Sequence, residues 1–182
     1  VGTEYADSSA SISSSHELSI TLPSIPKFEK QSDMVKYANP ACVTIVTDGG
    51  FGSGVVINNA GYVLSAYHVV EDANQIDVKF ANGLTLSAEI LAFDRANDIV
   101  LLDINGSGFP ALPVSINTEI PLGEEVITIG TPESVDLGQG IAKGLVSGKR
   151  LIDNRVYLQV DFSVSPGNSG APLLNAQGEI IG

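Results

Sequence analysis

CVTIVTDGGFGSGVVINNAGYVLSA, residues 42–66, alternates β-branched apolar runs with dense turn chemistry. The runs 42–47, 54–57 and 62–66 read as strands, separated by Asp48-Gly49-Gly50 and Asn58-Asn59-Ala60-Gly61, both strong turn signals. Outward from this core the rhythm continues. Runs at 76–80, 84–93 and 99–104 follow, with Asn82-Gly83 closing a hairpin, before the break at Asn105-Gly106-Ser107-Gly108. The second half repeats the pattern at 111–114, 125–129, 141–150, 156–161, 171–174 and 179–181. Short, regularly spaced strands with Gly and Pro turns predict an all-β sandwich or a pair of barrels, and closed barrels leave no adhesive edge. Periodicity alone does not choose between them. Cys42, inside an apolar strand, reads as a packed thiol rather than a nucleophile.

The N-terminal stretch is different in kind. Seven of the twelve residues from Ser8 to Ser19 are serine, and a Pro23 to Pro26 segment with Lys27, Glu29 and Lys30 follows. Such a composition cannot offset the entropy of ordering, so a flexible arm or linker is expected, with His16 solvated within it. A short helical turn at 32–37, capped by Ser32, would lead into the domain.

The 182 residues suffice for one ordinary domain or two small barrels sharing a core. With 43% hydrophobic and 16% charged residues, global disorder is excluded. Twenty-one acidic against nine basic residues leave a net charge of -12, which argues against a phosphate-tracking nucleic-acid surface and against docking on an anionic membrane. One cysteine forbids an internal disulfide, and two histidines forbid a His-rich metal site. No apolar run approaches the roughly 20 residues that span a bilayer, and Val1 begins no signal peptide.

Chemistry concentrates in Ser165-Pro166-Gly167-Asn168-Ser169-Gly170-Ala171-Pro172. A serine between small residues, behind a proline, sits in a tight turn that leaves its hydroxyl accessible. Backbone amides in such a turn can converge on an anion, and those of Gly167 and Ser169 would hold the oxyanion formed when Ser169 attacks a carbonyl. Taken alone, the same octapeptide also fits an ordinary β-turn. A serine needs a base, and outside the arm the chain has one histidine, His68, at the end of the 61–70 segment. The imidazole in turn needs a carboxylate to fix its tautomer. Asp98 stands just before the apolar run 99–102, with Asp94 a rival within one turn. A lone histidine is more often structural, and either aspartate could be a plain turn residue. The conjunction in the order His, Asp, Ser is what carries the reading.

Together these blocks resemble a known family. Gly52-Ser53-Gly54-Val55-Val56-Ile57, Ser65-Ala66-Tyr67-His68-Val69-Val70, Asn97-Asp98-Ile99-Val100-Leu101-Leu102 and Pro166-Gly167-Asn168-Ser169-Gly170 are similar to the trypsin-like serine proteases of the HtrA/Deg type. Gly130-Thr131-Pro132 and Gly144-Leu145-Val146-Ser147 match blocks of that family's second barrel. The resemblance implies a double six-stranded β-barrel with its catalytic groups between the barrels: His68 as general base, Asp98 its orienter, Ser169 the nucleophile, and the Gly167 and Ser169 amides as oxyanion hole. It divides the chain into a serine-rich arm, residues 1–36, and a protease domain, residues 37–182, with the first barrel at about 40–105 and the second at about 110–182. Tyr67 stands where the family commonly carries alanine, and Ala171 replaces the second glycine of the usual Ser-Gly-Gly-Pro. Asn168 takes the place of the aspartate that pairs with a freed N-terminus in digestive relatives, so activation by N-terminal insertion is not expected. The family orders its loops by conformational switching instead.

Family members continue past residues 179–182 into further strands, so the second barrel is expected to be incomplete and this chain a fragment of a longer protein. By resemblance Ser163 and Val164 lie at the base of the first specificity pocket, and, being uncharged, favour small or medium aliphatic side chains. The expectation is a serine endopeptidase acting on unfolded or damaged polypeptides through an acyl-enzyme, without metal or organic cofactor and without direct membrane insertion. An extracytoplasmic location and a homo-oligomer, a trimer by family habit, are implied by resemblance alone. The competing expectations are a non-catalytic protease-fold module that binds peptides or scaffolds partners, and an adhesive β-domain on a serine-rich stalk.

Overall fold

Strand β1 (Cys42–Thr47) pairs antiparallel with β2 (Gly50–Val56), and β2 with β3 (Tyr62–Ala66), in the computed structural model, which describes residues 25–117, 119–131, 134–136 and 138–182. The serine-rich stretch expected as an arm, with His16, lies outside the described residues, as does Pro132. The β-branched runs form strands because their side chains pack well on a pleated, half-buried surface. The turn expected at 48–50 gives its last residue to β2, which therefore starts four residues before the expected run.

Beyond β3 come β4 (Ile76–Phe80), β5 (Thr85–Ser87), β6 (Glu89–Asp94) and β7 (Ile99–Asp103). All seven form one antiparallel sheet in the order β5-β4-β1-β2-β3-β7-β6. The two outermost strands, β5 and β6, are separated in the chain by Ala88 alone. A sheet whose opposite edges are joined by one residue must be rolled up. The single run expected at 84–93 is thus two strands with a corner at Ala88, whose amide donates to the Ile76 carbonyl at 2.9 Å. Asn82-Gly83 closes the β4–β5 hairpin as expected, with Gly83 at φ 88° and Leu84 N–H donating to Asn82 Oδ1.

The second sheet is smaller: β8 (Glu125–Gly130), β9 (Gly140–Ile152), β10 (Arg155–Val160) and β11 (Leu173–Leu174), in the order β10-β9-β8-β11. The thirteen residues of β9 serve two partners, β8 along Gly140–Leu145 and β10 along Val146–Ile152. Asp153 and Asn154, both left-handed at φ 48° and 61°, make the two-residue turn to β10. Prolines limit two of the expected strands. Residues 111–114 and 179–181 hold only isolated bridges, Val114 to Ile180 and Ile180 to Leu174, and the run 171–174 shrinks to β11; Pro113 and Pro172 remove donors from 111–114 and 171–174. Leu173 nonetheless exchanges backbone bonds with Ile181 and Gly182, at 2.8 and 2.7 Å.

Helix α1 (Gln31–Ala38) starts one residue before the expected turn, so Ser32 falls inside its first turn; Lys30 is the N-cap and no side chain caps it. Met34 and Ala38 are fully buried, and Phe28 packs its ring 5.2 Å from that of Tyr37, so side chains ahead of residue 37 join the packed body. Cys42 is buried in the same core, with Val43, Ile45, Val78 and Leu102. That core extends to Ile127, Ile129 and Leu174 of the second sheet, and a smaller cluster gathers around Ile120, Val126 and Val146.

Candidate active site

The β3–β7 ladder does the first part of the assembly. It pairs Ala66 with Ile99, so the chain leaving β3 passes directly beside the chain entering β7. A 3-10 turn, Tyr67–Val69, then lifts His68 from the end of the strand. Three bonds lock it to Asp98: Tyr67 N–H to the Asp98 carbonyl at 3.2 Å, His68 N–H to Oδ1 at 2.8 Å, and His68 Nδ1–H to Oδ2 at 2.7 Å. A carboxylate only accepts, so the neutral imidazole carries its proton on Nδ1 and its lone pair on Nε2, the tautomer of a general base. The pair is half exposed, 55% for the imidazole and 49% for the carboxylate.

Asp98 rather than Asp94 reaches the histidine. Asp94 accepts from the Asn97 amide at 3.0 Å and from its side chain, hydrogen bonds that hold its carboxyl below the usual carboxylate range. This Asx turn lets the chain enter β7 with Asp98 left-handed, at φ 55°. Tyr67 is accommodated by stacking on Phe93, with centroids 4.7 Å apart. Arg95 lies 5.4 Å from the tyrosine centroid, donates to its hydroxyl at 3.3 Å and pairs with Glu71 at 2.6 Å.

Ser169 arrives from the other side. Pro166–Asn168 form a 3-10 turn in which Asn168 N–H donates to the Ser165 carbonyl at 2.9 Å. The 3-10 sense aligns amides with carbonyls three residues back. Two glycines let this turn sit against the barrels. A β-carbon on Gly167 would collide with the Thr131 carbonyl, and one on Gly170, at φ 80°, with the Ser53 carbonyl and Ser65 Oγ. The Ser53 amide holds the Ser169 carbonyl at 2.8 Å.

His68 and Ser169 line one cleft of about 500 Å³, along with Phe51 and the acidic Asp48 and Asp72. The Asp48 carboxyl is held below the usual range by hydrogen bonds from the Asn74 side chain and backbone, 2.7 and 3.0 Å. Ser163 and Val164 are exposed, Val164 at 63%, and neither is among the residues lining this cleft. Ser53, Ser65 and Thr131 form a buried polar seam at the site; the sequence blocks that contain them carried the family resemblance but gave them no role of their own. The available signal was a serine flanked by glycines, Gly52-Ser53-Gly54, in an otherwise apolar strand. Among the described residues no group of three or more His, Cys, Asp or Glu could hold a metal ion. Nor is any of their helices long and apolar enough to cross a membrane.

Residues 52–182 match the family model described as trypsin-like peptidase domain. The chain belongs to this family. Within the trypsin-like peptidases its relatives are of the HtrA kind. It is 38% identical over 135 residues to a probable periplasmic serine endoprotease DegP-like of Pseudomonas putida, and 35% identical to one so named of Halomonas elongata. Each alignment covers 72% of this chain and 28% of the relative, so the chain spans less than a third of their length. Among solved structures, the serine endoprotease from Yersinia pestis superposes with a TM-score of 0.75 at 34% identity, over 87% of this chain and 57% of that one. The HtrA-type protease AlgW with tripeptide gives 0.77 at 30%, over 84% and 53%. The rolled seven-stranded sheet and the partial second sheet are therefore the two barrels of a trypsin-like peptidase, the second incomplete.

Proposed function

We propose that this chain is the proteolytic domain of a serine endopeptidase that cleaves unfolded or damaged polypeptides outside the cytoplasm. The observation that carries the reading is the 2.7 Å bond from His68 Nδ1 to Asp98 Oδ2, with His68 and Ser169 facing the same cleft. Ser169 Oγ attacks the scissile carbonyl carbon as His68 Nε2 takes its proton. The oxyanion is received by the Gly167 and Ser169 amides once the Pro166–Asn168 turn presents them. The C–N bond then breaks, His68 returns the proton to the departing amine, and an acyl-enzyme remains. Water, deprotonated by the same imidazole, releases the acid and restores Ser169. Asp98 keeps the tautomer fixed and steadies the imidazolium throughout.

The location outside the cytoplasm rests on relatives named periplasmic, and a trimer, by family habit, is the proposed assembly. The uncharged Ser163 and Val164 are proposed to form the base of a pocket for small or medium aliphatic side chains.

A fluorophosphonate probe tests the reading. It is expected to label Ser169 of the folded protein, and to lose nearly all labelling in Ser169→Ala and in His68→Ala. Casein cleaved by the same preparation is expected to be cut after aliphatic residues. Folded protein that takes no label and turns over no casein is instead a non-catalytic module. Cuts mainly after Lys or Arg overturn the pocket assignment.

A further inference from the structure

Ser53 is fully buried on β2, and every polar atom it has is hydrogen-bonded: its hydroxyl and amide reach across the seam between the barrels, and its carbonyl stays within the first sheet. Its hydroxyl donates to the Gly167 carbonyl at 2.8 Å and accepts from the Thr131 amide at 2.9 Å. Its amide donates to the Ser169 carbonyl at 2.8 Å, and its carbonyl accepts from the Ser65 hydroxyl at 2.7 Å. Ser65 lies on β3, three residues before His68, so one serine joins the strand that ends at the base to both sides of the nucleophile.

The Gly167 carbonyl is one end of the Gly167–Asn168 peptide plane; the other end, the Asn168 amide, is held by the Ser165 carbonyl. A peptide plane pinned at both ends cannot rotate without breaking one bond. Ser53 thus fixes one plane between the two proposed oxyanion donors and, through the Ser169 carbonyl, the plane that follows the nucleophile.

We propose that Ser53 is a positioning residue that sets the seat of the nucleophile turn relative to His68, acting through backbone carbonyls and touching no substrate. The inference rests on the endopeptidase reading. The consequence is a separation of rate from binding. Loosening the turn misaligns the attack and the oxyanion donors, which act in the transition state, and leaves substrate contacts in place.

The test compares Ser53→Ala with Thr44→Val. The latter removes a buried hydrogen bond of the same seam, the 2.6 Å contact between the Thr44 and Thr131 hydroxyls, without touching the nucleophile turn. At matched folded fraction, Ser53→Ala is expected to slow fluorophosphonate labelling of Ser169 and peptide kcat by roughly tenfold or more, with KM within about threefold, while Thr44→Val stays within about twofold of the wild type. Should Ser53→Ala not fold, Ser53→Cys, which keeps a weak donor in similar volume, replaces it; slowed labelling with an intact near-UV circular dichroism spectrum supports the assignment. A labelled wild type with a Ser53 variant no slower than Thr44→Val overturns this inference alone. A wild type that takes no label overturns the endopeptidase reading and this one with it.

Discussion

Asp98 holds a conformation that few residues other than glycine adopt, and it does so where both of its carboxylate oxygens are in use. A left-handed aspartate costs on the order of 1 kcal/mol or more, and the surrounding bonds must over-determine it. Here they do: the neighbouring amides of Tyr67 and His68 close on its carbonyl and carboxylate, and the Asp94–Asn97 turn sets the approach. Cys42 is a contrasting case, a group whose chemistry is suppressed. Burial pushes its thiol up from the ordinary 9.0 to about 12. Above pH 9 the unfolded chain gives up this proton and the folded chain keeps it, so the unfolded state binds fewer protons and stability falls as pH rises from about 9 towards 12. Below pH 9 the contribution is fully present. Denaturant unfolding of wild type and Cys42→Ala at pH 8 and about pH 10.5 checks this. The wild type is expected to lose on the order of 2 kcal/mol more than the variant over that interval. Equal losses would mean that the thiol ionises in the folded protein.

Strands with β-branched runs between Asx-Gly turns were legible in the sequence almost to the residue, because β1, β3 and β4 are decided by local patterning. Elements decided by long-range contact were not. The corner at Ala88 is set by the closure of the rolled sheet, and nothing in the run 84–93 marks it. The reduced strands at 111–114 and 171–174 are limited by prolines, a signal present in the sequence but outweighed by their apolar neighbours. That His68 meets Asp98 and shares a cleft with Ser169 was legible because the chain has one histidine outside the serine-rich stretch and the three residues fall in the order His, Asp, Ser. Ser53 was not, since its partners are mostly backbone atoms of residues up to 116 positions away, and a carbonyl has no sequence signature. Helix α1 teaches the same lesson through packing. Its composition is polar, yet Met34 is fully buried against the core, within reach of the turn at Gly178. Met34→Ala is expected to cost about 2–5 kcal/mol and lower the thermal midpoint by on the order of 10 °C. A change under about 2 °C in calorimetry would show that the helix lies on the barrel without supporting it.

The whole molecule carries a net charge of -12, and the cleft shared by His68 and Ser169 carries Asp48 and Asp72 with no Lys or Arg among the described residues lining it. The hydrogen bonds from Asn74 hold the Asp48 carboxyl below the usual carboxylate range, so this charge persists to lower pH than that of an ordinary aspartate. A negative cleft on a negative body attracts cationic chain segments and repels acidic ones, and the field reaches about 10 Å at 0.1 M salt before screening removes it. The body's field acts on encounter and the contacts act on residence, so the effect belongs in kcat/KM rather than in kcat. Two unfolded peptides sharing one aliphatic cleavage site, one flanked by lysines and the other by glutamates, separate these contributions. From about 20 mM to about 500 mM salt, kcat/KM for the lysine peptide is expected to fall several-fold and that for the glutamate peptide to rise, with kcat nearly constant for both. In the Asp48→Asn, Asp72→Asn double variant the gap between the two responses should narrow, because the two acidic side chains of the cleft lining that carry no partner role in the His68 pair are neutralised. Identical salt responses of the two peptides on the wild type would place the substrate path away from this rim.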